Sequence, residues 1–338
     1  MARLALLTAL LIARAPEGVA ALWFTGRRRE VDGRPIDPKA QALGELMNRV
    51  RIPGVVPKLA DSRRSLQLLA QKFDLPCPAS VTKRDITLAG RPARIYDTQP
   101  DGVSRPGLLY LHGGGWVQGD LETHDGLCGQ LALEAGIRVI AHDYRLAPEH
   151  KFPAGPDDCL AAFRALRATP AVFGLDPARL AVGGDSAGGN LAAVLLHDLA
   201  AAGEAMPKAQ VLIYPAVDER MATRSMQVLK DAYVLPADRM RWYVDQYLPE
   251  GQDRRDPRIS PILSPHLAAQ PPALILHAGH DPLWDDATLQ AEALRRAGVA
   301  VTLLPYPGQV HAFLSARRAI PQAREAVTRI SDWLRQTL

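Results

Sequence analysis

From about Val81 onward the chain carries short, nearly continuous apolar runs separated by segments of helical character. The runs are GLLYLHGG, IRVIAHDYR, RLAVGGDS, AQVLIYPA, PALILHAG and AVTLLPYP, and Thr123–Ala135, Gly155–Ala168 and Asp286–Ala297 lie between them. A strand that is apolar on both sides must be covered on both sides, and strands alternating with helices join in parallel. The chain therefore reads as an α/β fold with a mostly parallel central sheet and helices on both faces. Its 338 residues, 47% hydrophobic and 22% charged, suffice for a large core of this kind.

The remaining segments divide around that core. VTKRDITLAGRPARIYDTQ alternates apolar and polar residues about Ala89-Gly90, the pattern of a hairpin, so the core is expected over residues 81–338. Residues 36–80 precede the core, and 36–75 of them read as helical, with Asp37 as N-cap, Pro38 in the first turn and a break at Pro53-Gly54 before DSRRSLQLLAQKF. A longer helical insertion at about 217–248 interrupts the strand–helix rhythm. These two segments are the candidates for a lid over the C-terminal edge of the sheet, where open α/β sheets place their sites.

Residues 1–35 form an N-terminal extension. Its apolar run, Leu4 to Ala13, is stopped by Arg14, Pro16 and Glu17, short of the roughly 18 apolar residues a membrane span needs. It reads as a leading helix that packs on the body or makes peripheral contact with a membrane. The alternative is a signal peptide cut after Ala13-Arg14-Ala15. A cytoplasmic location is the expectation, with export or membrane association as the other readings.

Charge and cysteine content exclude several classes. Forty basic and 36 acidic residues give a net charge of +4, with no basic cluster interleaved with aromatics, so no nucleic acid partner is expected. The basic run GRRRE at Gly26–Glu30 reads as a solvated segment or a surface anchor. Cys77, Cys128 and Cys159 form no CxxC pair and are expected as free thiols rather than a disulfide framework or zinc site. Neither a dinucleotide-binding nor a Walker glycine pattern is present, and neither a cofactor nor a metal is expected. The sequence carries no signature of oligomeric state.

One run is rich in glycine as well as apolar residues. VGGDSAGGN, Val182–Asn190, sets a serine among four glycines between an expected strand and an expected helix. Gly184-Asp185-Ser186-Ala187-Gly188 matches G-x-S-x-G, whose small flanking residues permit the strained strand-to-helix turn that exposes a nucleophilic hydroxyl. A serine needs a base, and the base needs an orienting carboxylate. His311 is the one histidine beyond residue 280, in the loop GQVHAF that follows VTLLPYP. Asp281, at the end of PALILHAGHD, is the expected acid, whereas Asp285 and Asp286 read as charges at a helix N-terminus. His277 reads as structural and His280 as structural or a wall of the site. Consecutive glycines in HGGGW let backbone N–H groups converge, so Gly113 and Gly114 are expected oxyanion donors with the Ala187 amide as third. Trp116 and Trp284 are candidate substrate-binding walls.

HGGGW at His112–Trp116 with GDSAGGN at Gly184–Asn190 resembles the bacterial hormone-sensitive-lipase-like esterases of the α/β-hydrolase superfamily. The likeness runs from about Ile36 to the end through DYRLAPEHKFPAGPDDC, LIYPAVD, DPRISPILSP and AGHDPLWDDA. It implies an α/β-hydrolase core under a helical cap, a triad of Ser186, Asp281 and His311, and hydrolysis of short- to medium-chain carboxylic esters without a cofactor. The chain departs from the family pattern at Ala312, where glycine is usual, and at Trp284, where arginine is common. The implied partner is a small-molecule ester, and activity should fall on acidification as His311 loses its free imidazole nitrogen. An amidase or deacetylase on the same triad, and a non-catalytic ligand-binding protein on the same fold, are the alternatives.

Overall fold

The computed structural model describes residues 15–50, 58–99 and 103–338. The expected leading helix over Leu4–Ala13 and the break at Pro53-Gly54 lie outside them.

Eight strands form the central sheet: β3 (Thr82–Leu88), β4 (Arg91–Asp97), β5 (Arg105–Leu111), β6 (Arg138–His142), β7 (Leu175–Asp185), β8 (Ala209–Ile213), β9 (Ala273–His280) and β10 (Val301–Val310). Their order is β10-β9-β8-β7-β5-β6-β4-β3, parallel from β10 to β6 and antiparallel across β6, β4 and β3. A small antiparallel ribbon, β1 (Glu30–Val31) with β2 (Arg34–Pro35), precedes it. The β3–β4 hairpin turns at Ala89-Gly90, both with positive φ, as the alternation predicted.

β6, β8 and β9 are buried along their whole length and β4, β5 and β7 over their C-terminal parts, and their side chains divide between two cores because the pleat alternates. Leu109, Val182 and Leu212 face one way and pack with Leu191 and Leu195 of the helix Ala187–Ala201. Leu108, Ala181 and Val211 face the other, against Leu127 and Leu131 of Asp125–Ala135 and the C-terminal helix Pro321–Thr337. That last helix starts at a proline and buries Ala323, Ala326, Val327, Ile330 and Leu334, the spacing of one helical face.

The covering segments fold as two pieces that meet. Helices Pro38–Val50 and Leu59–Phe73 come from the N-terminal side, and Asp37 Oδ1 caps the first by accepting from the N–H groups of Lys39 (2.8 Å) and Ala40 (3.0 Å). The helical insertion forms two helices, Arg224–Val228 and Ala237–Tyr247, separated by residues 229–236. The pieces pack so closely that a Cβ at Gly44 would fall 2.3 Å from the Tyr233 ring. The basic run is partly folded back: Arg28 Nε donates to the Ile36 carbonyl (2.9 Å), and Arg29 lies 4.2 Å from the Tyr233 ring centroid. Cys128 and Cys159 are buried free thiols, and Cys77 is half-buried.

Candidate active site

Four parallel strands deliver the site from their C-terminal ends. β5 leads into His112–Gly115, β7 into Ser186, β9 into Asp281 and β10 into His311. Val310 is in register with His280, so Asp281 and His311 leave adjacent strands side by side.

Ser186 has φ 55° and ψ −119°, which a non-glycine residue adopts only under constraint. The constraint is visible at its neighbours. A Cβ at Gly184 would lie 2.3 Å from the Leu111 carbonyl oxygen, and one at Gly188 would lie 1.9 Å from the same atom. The glycines therefore let β7 and its following helix pass against the end of β5, which answers why the chain places them there. The Ser186 N–H donates to Ile213 O on β8 (2.8 Å), and Asn190 Nδ2 donates to Ile259 O (2.9 Å).

His311 joins the other two groups. Its Nε2 lies 2.9 Å from Ser186 Oγ and its Nδ1 lies 2.6 Å from Asp281 Oδ2. Asp281 is fully buried, and its second oxygen accepts the Leu283 N–H (2.9 Å). With Nδ1–H given to the carboxylate, Nε2 is the free base facing the hydroxyl. Tyr214 packs on the imidazole, ring centroids 4.9 Å apart.

The glycine loop corrects one assignment. The Gly113 N–H, expected as an oxyanion donor, is directed to Asp185 Oδ1 (2.9 Å). The amides of Gly114 and Gly115 have no hydrogen-bond acceptor among the described residues. The Ala187 N–H opens a helix, where no intrahelical acceptor exists. Asp185 Oδ1 also accepts from Tyr110 Oη (2.8 Å) and meets His124 Nε2 at 3.1 Å. Burial alone would push the Asp185 carboxyl up, but His124 and these hydrogen bonds outweigh it and hold it below its ordinary range. Burial depresses His124 in turn, and the Asp185 charge reverses that and leaves it raised. His112 donates Nδ1–H to the Gly113 carbonyl (2.9 Å) and stacks on Tyr144 (centroids 4.4 Å apart), while burial holds it down at about 4. Asp185 and His124 were not singled out in the sequence, although Asp185 occupies the variable position of G-x-S-x-G.

Above Ser186 lies a cavity of about 400 Å³ closed over by both covering segments. Met47, Leu66 and Leu69 line it from one, Leu235 and Met240 from the other, with Trp116 and His311 at the base. Trp116 stacks on Tyr247 (4.6 Å between centroids) as it reaches the cavity. Trp284 does not line it: its ring lies between His277 (3.8 Å) and the guanidinium of Arg34 (4.6 Å). His280 is likewise no wall, because Nε2–H donates to Arg34 O (2.9 Å) and burial holds it at about 4. Asp286 is more than a helix-terminal charge. It is buried, accepts the N–H groups of Val217 and Asp218 (3.1 Å each), and is pushed well above the usual carboxyl range by burial. Among the described residues no three His, Cys, Asp or Glu side chains group as metal ligands would.

Residues 108–315 match the family described by the alpha/beta hydrolase fold. An ethyl acetate hydrolase of Pseudomonas putida is 41% identical over 319 residues, covering 90% of this chain and 99% of the relative. The carboxylic ester hydrolase LipN of Mycobacterium tuberculosis is 40% identical over 315 residues, 89% of this chain and 82% of its own. Among solved structures, an α/β hydrolase enzyme from the metagenome of Lake Arreo, crystallised as a serine-to-alanine mutant, superposes with a TM-score of 0.82. It is 37% identical and covers 89% of this chain and 98% of its own.

Proposed function

This chain belongs to the hormone-sensitive-lipase-like family of α/β-hydrolase-fold carboxylesterases, and we propose that it hydrolyses short- to medium-chain carboxylic esters through an acyl-enzyme on Ser186. The observation that carries the assignment of residues is the continuous chain Ser186 Oγ–His311–Asp281, with contacts of 2.9 and 2.6 Å, at the floor of an apolar cavity. His311 Nε2 takes the Ser186 proton as Oγ attacks the ester carbonyl. Asp281 holds the imidazole tautomer and stabilises the imidazolium. The N–H groups of Gly114, Gly115 and Ala187 receive the oxyanion, each contributing about 3–4 kcal/mol to the transition state. His311 then returns the proton to the departing alcohol, and water, deprotonated by the same nitrogen, releases the acid.

The helices Pro38–Val50, Leu59–Phe73 and Ala237–Tyr247 act as a cap whose apolar lining sets acyl length. The test is hydrolysis of p-nitrophenyl esters from acetyl to dodecanoyl by wild type and Ser186→Ala. Turnover of the short esters that drops by at least about a thousandfold in the variant is expected. Equal activity of the two proteins refutes the nucleophile, and inactivity of both on every ester turns the reading toward amides or ligand binding.

No helix among the described residues is long and apolar enough to cross a membrane. Peripheral contact is a second reading, supported by Val19, Leu22 and Trp23, which are exposed on the helix Glu17–Trp23 just before the arginine run. Recovery of the protein with anionic vesicles, lost on deleting residues 1–35, tests it against a cytoplasmic location without such contact.

A further inference from the structure

The cavity over Ser186 is mostly apolar, but one side of it carries a cation that no carboxylate pairs with among the described residues. Arg239, on the helix Ala237–Tyr247, lines the cavity half-buried. Its guanidinium lies 5.3 and 5.8 Å from the ring centroids of Trp242 and Tyr243. It makes one long hydrogen bond, 3.5 Å to Ser62 Oγ, and no carboxylate approaches within 4 Å among the described residues. Of the other arginines of the covering segments, Arg64 and Arg241 are exposed to solvent, and three are paired. Arg63 is paired with Glu149, Arg220 with Asp218, and Arg224 with Asp32.

The polar groups beside Arg239 are satisfied among themselves. Ser62 Oγ–H donates to Gln118 Oε1 (2.7 Å), and Gln118 Nε2 donates to Tyr243 Oη (2.8 Å). Most of the five N–H donors of Arg239 have no acceptor among the described residues. A half-buried guanidinium beside two aromatic rings and short of a counter-ion is a receptor for a planar anion, and a carboxylate fits its fork with two parallel hydrogen bonds. Asp61 also borders the cavity, but it is exposed, where water and salt screen its charge.

We propose that Arg239 binds a free carboxylate carried by the ester at a distance from the scissile bond, so that the preferred substrates are anionic esters such as half-esters of dicarboxylic acids. This rests on the ester-hydrolase reading, and Arg239 acts as a specificity determinant of that same site. The chemistry at Ser186 is unaltered; the anion only orients the ester carbonyl.

The test compares matched pairs at low ionic strength by pH-stat: monoethyl adipate against ethyl hexanoate, and 4-acetoxybutanoate against butyl acetate. In at least one pair the ratio of kcat/KM, charged over neutral, is expected to fall about tenfold or more in Arg239→Met. Arg239→Lys should restore part of the ratio, Asp61→Asn should raise it, and added salt should lower it. Ratios that are the same in wild type and Arg239→Met for both pairs overturn the proposal, and Arg239→Gln serves in its place should the methionine protein not fold. If wild type cleaves none of the four esters, the ester-hydrolase reading is what fails. Calorimetric titration of monoethyl adipate into Ser186→Ala, with and without Arg239→Met, then decides. Binding that the second substitution removes supports the anion site, and binding that is absent or unchanged overturns it.

Discussion

Ser186 can hold its left-handed backbone only because Gly184 and Gly188 bring the turn against the Leu111 carbonyl. Gly188→Ala would place a methyl group 1.9 Å from that oxygen and 2.7 Å from the His112 carbonyl oxygen. The helix Ala187–Ala201 must then move off β5, carrying the Ala187 amide and the hydroxyl out of line. An ångström-scale displacement of this kind costs about 100-fold in kcat/KM. Active-site titration alongside turnover on p-nitrophenyl acetate checks it, and wild-type turnover per titrated site would contradict the packing argument. The three residues of the Ser–His–Asp chain were legible in the sequence because strand ends and chain order restrict the candidates to one serine and one histidine. Which amides stay free was not. A buried carboxylate at position 185 takes the Gly113 N–H, and nothing in a run of three glycines says which one faces a neighbour. Trp284 leaves the cavity for a related reason: proximity in sequence to Asp281 does not fix the side of the strand end from which a side chain leaves, and of the two readings of His280 the structural one holds.

Helices and hairpins were legible because each is set by local pattern, as at Asp37 and at Ala89-Gly90. The ties between elements were not, because their partners are far apart in the chain. Asp74, at the C-terminal end of the helix Leu59–Phe73, meets Arg317 across 243 residues. Arg317 Nε donates to Asp74 Oδ1 (2.5 Å) and Nη2 to Oδ2 (2.9 Å), and Arg317 is fully buried. The Arg318 N–H adds a bond to Phe73 O (2.9 Å), so the chain just beyond His311 is fastened to the N-terminal covering helix. Removing one partner of a buried pair strands the other charge without water, at about 3–5 kcal/mol. Asp74→Ala should lose that much in urea unfolding, and Asp74→Ala with Arg317→Met should recover much of it because both charges are then gone. A single variant as stable as wild type would show that water reaches Arg317 and that the tie contributes little.

At the scale of the molecule, sheet content was legible and sheet order was not: apolar runs reveal strands, but the order β10-β9-β8-β7-β5-β6-β4-β3 depends on which runs cross over. The same packing encloses several histidines in neutral form. Burial holds His112, His142, His277 and His280 at about 4 against an ordinary value near 6.5. Between those two values the unfolded chain binds protons that the folded chain refuses. Each such histidine therefore contributes a loss of stability that begins as pH falls below about 6.5 and levels off near 4. Glu219 and Asp286 act in the opposite sense, since burial pushes both carboxyls up and the fold takes up their protons first. His124, raised by Asp185, opposes the loss as well. The whole-protein slope is thus a difference of large contributions, and a single site isolates one of them. His142, at the end of β6 and fully buried, is the choice because it lies outside the proposed Ser–His–Asp chain and the oxyanion loop. Replacing it by leucine removes its titration and leaves an apolar group in the sheet. Between pH 7 and pH 5, wild type should lose about 2 kcal/mol more unfolding free energy than His142→Leu. Urea titrations of both proteins at the two pH values measure the difference directly. Parallel losses would mean that the His142 imidazole takes up its proton in the folded state as readily as in the unfolded chain, and that the sheet leaves it a path to water.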